Sequence, residues 1–114
     1  MVQADLHTHT TYSDGLSTPQ INVQLAACNG LDAIAIADHD SLAGLRQGQA
    51  EAQRWGIEYV PAVELTTDRY HILAYRFDQT DAFVQYVNES RAAQVREVQA
   101  KIRQLEQAGY PLSL

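Results

Sequence analysis

Hydrophobic and polar residues alternate over VQADLHTH, a period of two that predicts a strand with Asp5, His7 and His9 on one face and Leu6 and Thr8 on the other. TYSDGLSTPQ reads as a loop. Ser17 or Thr18 offers an N-cap, Pro19 suits the first helical position, and Ser17 with Gln20 matches a capping box. A helix is therefore predicted to about Asn29, with Gly30 as its stop. LDAIAIAD is a continuous apolar run of strand length, the pattern of a strand buried on both faces of a parallel sheet. A second helix is predicted from about Leu42 to Trp55, stopped by Gly56. IEYVPAVELTT reads as a third strand in which Pro61 predicts a bulge or an edge. YHILAYRF is a fourth, after a tight connection at Thr67, Asp68 and Arg69. From Thr80 to Ala108 the pattern is helical, with Val95, Val98, Ile102 and Leu105 at three-four spacing and Gly109 closing it.

The predicted order, β-α-β-α-β-β-α, is an α/β arrangement of one domain's length. The apolar stripe of the last helix must bury itself somewhere, and the tail YPLSL is apolar as well, so the chain looks cut within a longer fold. Hydrophobic residues at 46% and charged residues at 19% fit a globular protein. No apolar run approaches the ~20 residues of a membrane span, and MVQADLHTH lacks the features of a signal peptide. The single cysteine, Cys28, cannot form an internal disulfide, which fits a cytoplasmic protein; its small neighbours predict core packing. A net charge of −6 argues against coating a nucleic acid. It leaves metal-dependent phosphate chemistry open, because bound divalent cations would invert the local charge.

Candidate chemistry sits where such sheets place it, at strand C-terminal ends. His7 and His9 end the first strand, Asp38, His39 and Asp40 follow the second, Glu64 ends the third, and His71 lies just inside the fourth. Imidazole and carboxylate suit zinc, manganese and iron. A His-x-His pair aims two nitrogens into one cavity, Gly15 lets its loop turn to carry Asp14, and Glu64 has two oxygens with which to bridge two ions. Each element also has an ordinary reading. His39 could belong to a surface ion cluster, Glu64 to a salt bridge, and His71 to the core. Asp38 or Asp40 could cap the following helix, and Asp5 could be solvated. Together, in this order, they favour a metal site.

"DLHTHTTYSDG", "GLDAIAIADHDSLAGL" and "VPAVELTT" resemble, in that order, the first three motifs of the PHP (polymerase and histidinol phosphatase) family of metal-dependent phosphoesterases. "YHILAYRFD" is similar to the strand after the third motif in stand-alone members, among them nucleoside 3′,5′-bisphosphate phosphatases and 5′→3′ exoribonucleases. The resemblance implies part of a distorted barrel of seven β/α units with two or three divalent ions (manganese, zinc or iron) at the strand ends. It implies His7 and His9 as ligands of one ion, Glu64 as the bridging carboxylate, Asp14 and His39 as ligands of another, and His71 as serving a third. Glu64 and Asp14 are thereby the catalytic carboxylates. Ala37 stands where the family often has threonine and Ala62 where it often has glycine. The implied reaction is hydrolysis of phosphate esters, of small nucleotides or RNA ends, by a metal-bound hydroxide.

A barrel of this kind needs ~200 residues or more, so residues 1–114 resemble only the N-terminal part of the domain, without the family's later histidine and Asp-x-His. Two other readings stay open. One is a non-catalytic metal-binding half-barrel that self-associates through its open edge. The other, within the enzyme class, is a histidinol-phosphate phosphatase or polymerase-associated exonuclease.

Overall fold

The structure, a computed structural model, describes residues 1–112. Its elements are β1 (Ala4–Thr8), α1 (Pro19–Cys28), β2 (Ala33–Ile36), α2 (Leu45–Trp55), β3 (Glu58–Thr66), β4 (His71–Tyr75) and α3 (Asp81–Gln107). The strands form one sheet in the order β1-β2-β3-β4. β1, β2 and β3 are parallel, and β4 returns antiparallel to β3. This is the α/β order that the hydrophobic pattern predicts, in the half-barrel form that the family resemblance implies.

β2 explains why its run is apolar throughout, since both faces are covered. Ile34 and Ile36 pack against Val23 and Ala26 of α1 and Ala52 of α2. Ala35 and Ala37 face the other way, against Val60, Ala62 and Leu73. Ala37 and Ala62 are fully buried, so the two small residues that depart from the family pattern fit a tightly packed inner face. Helix starts follow local chemistry. Thr18, not Ser17, caps α1, its hydroxyl accepting from the Ile21 amide, with Pro19 in the first turn. Thr80 caps α3 in the same way through Phe83.

Several expectations need correction. α2 begins at Leu45 rather than Leu42, after a Gly44 cap without a side-chain bond, so neither Asp38 nor Asp40 caps it. Pro61 marks neither a bulge nor an edge: residues 58–61 pair with β2 and 62–66 with β4 in unbroken register. Its carbonyl accepts from the Arg76 amide just past the end of β4. The irregularity lies in β1 instead, where Asp5 pairs with Ile34 but Thr8 with Ile36. That extra residue breaks the alternation, and Asp5 lines a hollow with Asn22 and Leu25 of α1 rather than joining His7 and His9. Cys28 is exposed, because α1 buries Pro19, Val23 and Ala26 and Cys28 falls off that stripe. α3 is held by the fully buried Val87, while Val95, Val98 and Leu105 remain about half exposed. Among the described helices, none is long and apolar enough to cross a membrane.

Candidate metal centre

Five chain segments deliver six side chains to one rim of the sheet. β1 ends in His7 and leads to His9, the following loop carries Asp14, His39 follows β2, and Glu64 lies near the end of β3. His71 opens β4, and because β4 runs antiparallel, its first residue lies beside the end of β3, paired with Thr66. His39 and Glu64 are set side by side by backbone bonds, Glu64 N to Asp38 O at 3.1 Å and Asp40 N to Glu64 O at 2.9 Å. Gly15 is required by close approach: a Cβ there would lie 2.4 Å from the His9 carbonyl oxygen. The Ser13 and Gly15 amides both donate to Thr10 O, closing the turn that holds Asp14.

Glu64 is the centre of the arrangement. It is 7% exposed. Its Oε2 lies 3.0 Å from His7 Nε2, 3.1 Å from His9 Nε2 and 3.7 Å from His39 Nε2, while its Oε1 lies 3.2 Å from His71 Nδ1. Asp14, largely exposed, stands 3.3 Å from His9 Nδ1 and 3.5 Å from His39 Nε2. Burial opposes ionisation of Glu64, but the contact with His7 and the nearby His39 and His9 outweigh it, holding its carboxyl below the usual range. Asp14 is held low in the same sense, with His39, His9 and Ser13 outweighing desolvation. Both are therefore anionic at neutral pH.

Beneath the rim lies a floor that the sequence pattern did not reveal. Asp38, 2% exposed, accepts hydrogen bonds from Thr10 N, Thr10 Oγ1 and Ser13 Oγ, each at 2.7 Å. It thereby fixes the loop between His9 and Asp14. Asp40, 1% exposed, accepts from Thr66 N and Ser90 Oγ through Oδ1 and from Gln94 Nε2 through Oδ2. It ties the end of β3 to α3. Burial opposes its ionisation too, and the bonds from Thr66, Gln94 and Ser90 prevail, so it stays anionic.

The donor set fits divalent cations. Three groupings bring ligand atoms within 4.8 Å of one another: His7, His9 and Glu64; His9, Asp14 and His39; and His39, Glu64 and His71. His7 Nε2 and His9 Nε2 are 3.1 Å apart, and both face the same carboxylate oxygen. A cation between them would satisfy all three atoms at once. The groupings share His9, His39 and Glu64, so the six residues cannot complete three independent sites; only the carboxylate has two oxygens free to serve neighbouring ions.

Fold and rim together define a half-barrel with a cluster of six potential cation ligands at its strand ends. A family model described as the PHP domain matches residues 5–108, and the chain belongs to that family. It is 34% identical over 112 residues to a 5′-3′ exoribonuclease of Haemophilus influenzae, covering 94% of this chain and 41% of the relative. It is 32% identical over 117 residues to a 3′,5′-nucleoside bisphosphate phosphatase of Chromobacterium violaceum, covering 96% of this chain and 40% of the relative. A Bifidobacterium adolescentis protein, assigned by inference as a metal-dependent phosphoesterase, superposes with TM-score 0.88 at 29% identity over 98% of this chain and 41% of its own. An amidohydrolase from Chromobacterium violaceum, solved with sulfate and no metal, gives TM-score 0.83 at 27% identity over 97% of this chain and 41% of its own. The chain thus spans about two-fifths of the length of these proteins.

Proposed function

We propose that these residues form the N-terminal part of a PHP domain whose complete barrel hydrolyses phosphate esters of nucleotides or RNA ends in the cytoplasm. One observation carries the reading: buried Glu64 turns both oxygens to the ring nitrogens of four histidines from three strand ends. In this reading His7 and His9 would hold one ion with Glu64, Asp14 and His39 would hold another, Glu64 would be the carboxylate shared between them, and His71 would serve a third. Manganese, zinc or iron suits these donors. Bound there, such ions would supply Lewis acidity toward a phosphoryl oxygen and acidify water. The protein's own part is positional. Glu64 keeps His7 and His9 converged, the Asp38 floor holds the loop of Asp14, and Asp14 keeps an exposed, ionised oxygen at the rim to orient an attacking water. The similarity to an exoribonuclease and a bisphosphate phosphatase supports nucleotide-type substrates.

The test is a hydrolysis panel of a nucleoside 3′,5′-bisphosphate, 5′-phosphorylated RNA and histidinol phosphate, with chelated and metal-reconstituted protein. Glu64→Gln should lower metal-dependent turnover more than about a hundredfold. Turnover that survives both the chelator and Glu64→Gln would contradict the proposal. Preferential turnover of histidinol phosphate would move the chain to that branch of the family.

A second reading, a non-catalytic metal-binding half-barrel that self-associates, is favoured by the half-exposed Val95, Val98 and Leu105 on α3. Metal uptake with no turnover on the panel, together with dimerisation in sedimentation, would favour it.

A further inference from the structure

We propose that Tyr75 and Asp5 are positioning residues of the metal centre: together they clamp the peptide between Leu6 and His7, and the clamp aims the His7 imidazole at Glu64. The proposal rests on the metal-centre reading above and concerns residues outside its six candidate ligands. In β1, Asp5 stands opposite Ile34 and Thr8 opposite Ile36, so Leu6 and His7 share the one place opposite Ala35. A bulge of this kind re-aims a side chain, and its extra peptide must find hydrogen bonds away from the regular ladder. Side chains supply them here. The Tyr75 hydroxyl donates to the Leu6 carbonyl at 2.7 Å, and the His7 amide donates to Asp5 Oδ1 at 3.2 Å. Those two backbone groups are the two ends of a single peptide unit.

His7 depends on its backbone for its aim. Its side chain is 46% exposed, so packing does not fix the ring, whereas the Glu64 that it meets at 3.0 Å is buried. Turning the clamped peptide would swing the ring away from that carboxylate. Tyr75 also joins the two edge strands of the sheet. β1 and β4 stand at opposite ends of the strand order, roughly 14 Å apart in a flat sheet, so the contact exists because the sheet curls. β4 carries His71 at its first residue and Tyr75 at its last. The strand that brings one candidate ligand thus sets the direction of another. Removing the phenol hydroxyl alone leaves every candidate ligand in the chain, which makes the clamp separable from the site it serves.

The experiment compares the full chain with Tyr75→Phe, Asp5→Ala, Asp5→Asn and, as a control at an exposed tyrosine, Tyr110→Phe. Manganese affinity is measured by calorimetric titration. The histidine ring signals of the metal-free proteins are read by nitrogen NMR, with His7 assigned through His7→Ala. Tyr75→Phe and Asp5→Ala should each weaken manganese binding about tenfold. Asp5→Asn keeps an acceptor oxygen for the His7 amide and should recover most of that loss, and Tyr110→Phe should match wild type. In metal-free Tyr75→Phe the His7 ring signals should move while those of His39 stay. Unaltered affinity in Tyr75→Phe, an equal loss in Tyr110→Phe, or His7 and His39 signals displaced alike would overturn the proposal. Should Tyr75→Phe fail to fold, the two Asp5 variants read the same peptide from its other end, and an equal loss in both would overturn it. No manganese uptake by wild type would instead overturn the metal-centre reading, while the metal-free ring signals still decide the clamp, so the two failures are distinguishable.

Discussion

Asp38 and Glu64 lie on neighbouring segments of one sheet and are almost equally hidden, at 2% and 7% exposed. Their partners differ in kind. Asp38 is met by a backbone amide and two hydroxyls, all of which have a proton to give. The Glu64 carboxylate is met, among the described residues, only by imidazole nitrogens. A carboxylate saturated by donors belongs to the frame. One ringed by nitrogens that can themselves donate lone pairs is arranged for a cation, because a buried negative charge without enough donors is costly. Distance in sequence does not separate the two cases; the chemistry of the neighbours does.

If Asp38 is frame, removing it should cost most. Asp38→Ala leaves Thr10 and Ser13 donors facing nothing and should destabilise the chain by about 3 kcal/mol, read as a lower urea midpoint with or without metal. If Glu64 is a ligand, its effect should depend on metal. Manganese at a hundred times its dissociation constant should stabilise wild type by about 2.7 kcal/mol. Glu64→Gln should lose that gain while changing metal-free stability by less than about 1 kcal/mol. An equal loss in both states would place Glu64 with the frame.

Tyr59 supplies a third kind of buried polar group. Among the described residues its hydroxyl has no hydrogen-bond partner, and its ring packs so closely that a Cβ on Gly48 would lie 2.6 Å away. Burial, with Asp38 nearby, pushes the phenol's ionisation up and keeps it neutral. Tyr59→Phe should therefore raise thermal stability by about 1 kcal/mol.

The smallest effect concerns Glu51, a frame carboxylate of the helix layer. It accepts from Gln24 and Trp55 and pairs with Arg54, and these contacts hold its carboxyl below the ordinary 4.5. Its contribution is therefore complete above pH 4.5 and is lost as pH falls through the lower folded value. Trp55 fluorescence in acid unfolding should show a shallower loss of stability in Glu51→Gln than in wild type.

The six rim residues could be read from the sequence because each falls at a strand end or in a short loop beside one, and strand ends follow from local apolar runs. The Thr18 cap was legible, as one of two candidates, for the same local reason, whereas the helical pattern from Thr80 to Ala108 placed Thr80 inside the helix that it in fact caps. The floor was not. Thr10 meets Asp38 across 28 positions, and Asp40 meets Gln94 across 54, so no spacing within a motif announces either contact. Asp38 and Asp40 sit in the same Asp-His-Asp run as His39, where local chemistry equally allowed ligands or helix caps. The displacement of Asp5 was hidden too, since the β1 irregularity appears only against its partner strand. The exposure of Cys28 could have been found by extending the period through Pro19, Val23 and Ala26.

The most direct measurement is metal content per chain, by elemental analysis after incubation with manganese, zinc or iron(II) and removal of excess, for wild type and His7→Ala/His9→Ala. The account predicts one or more equivalents in the wild type, lost in the double variant while its circular dichroism stays unchanged. No metal in the wild type, or equal metal in both proteins, would contradict the claim that the strand-end cluster is a metal centre.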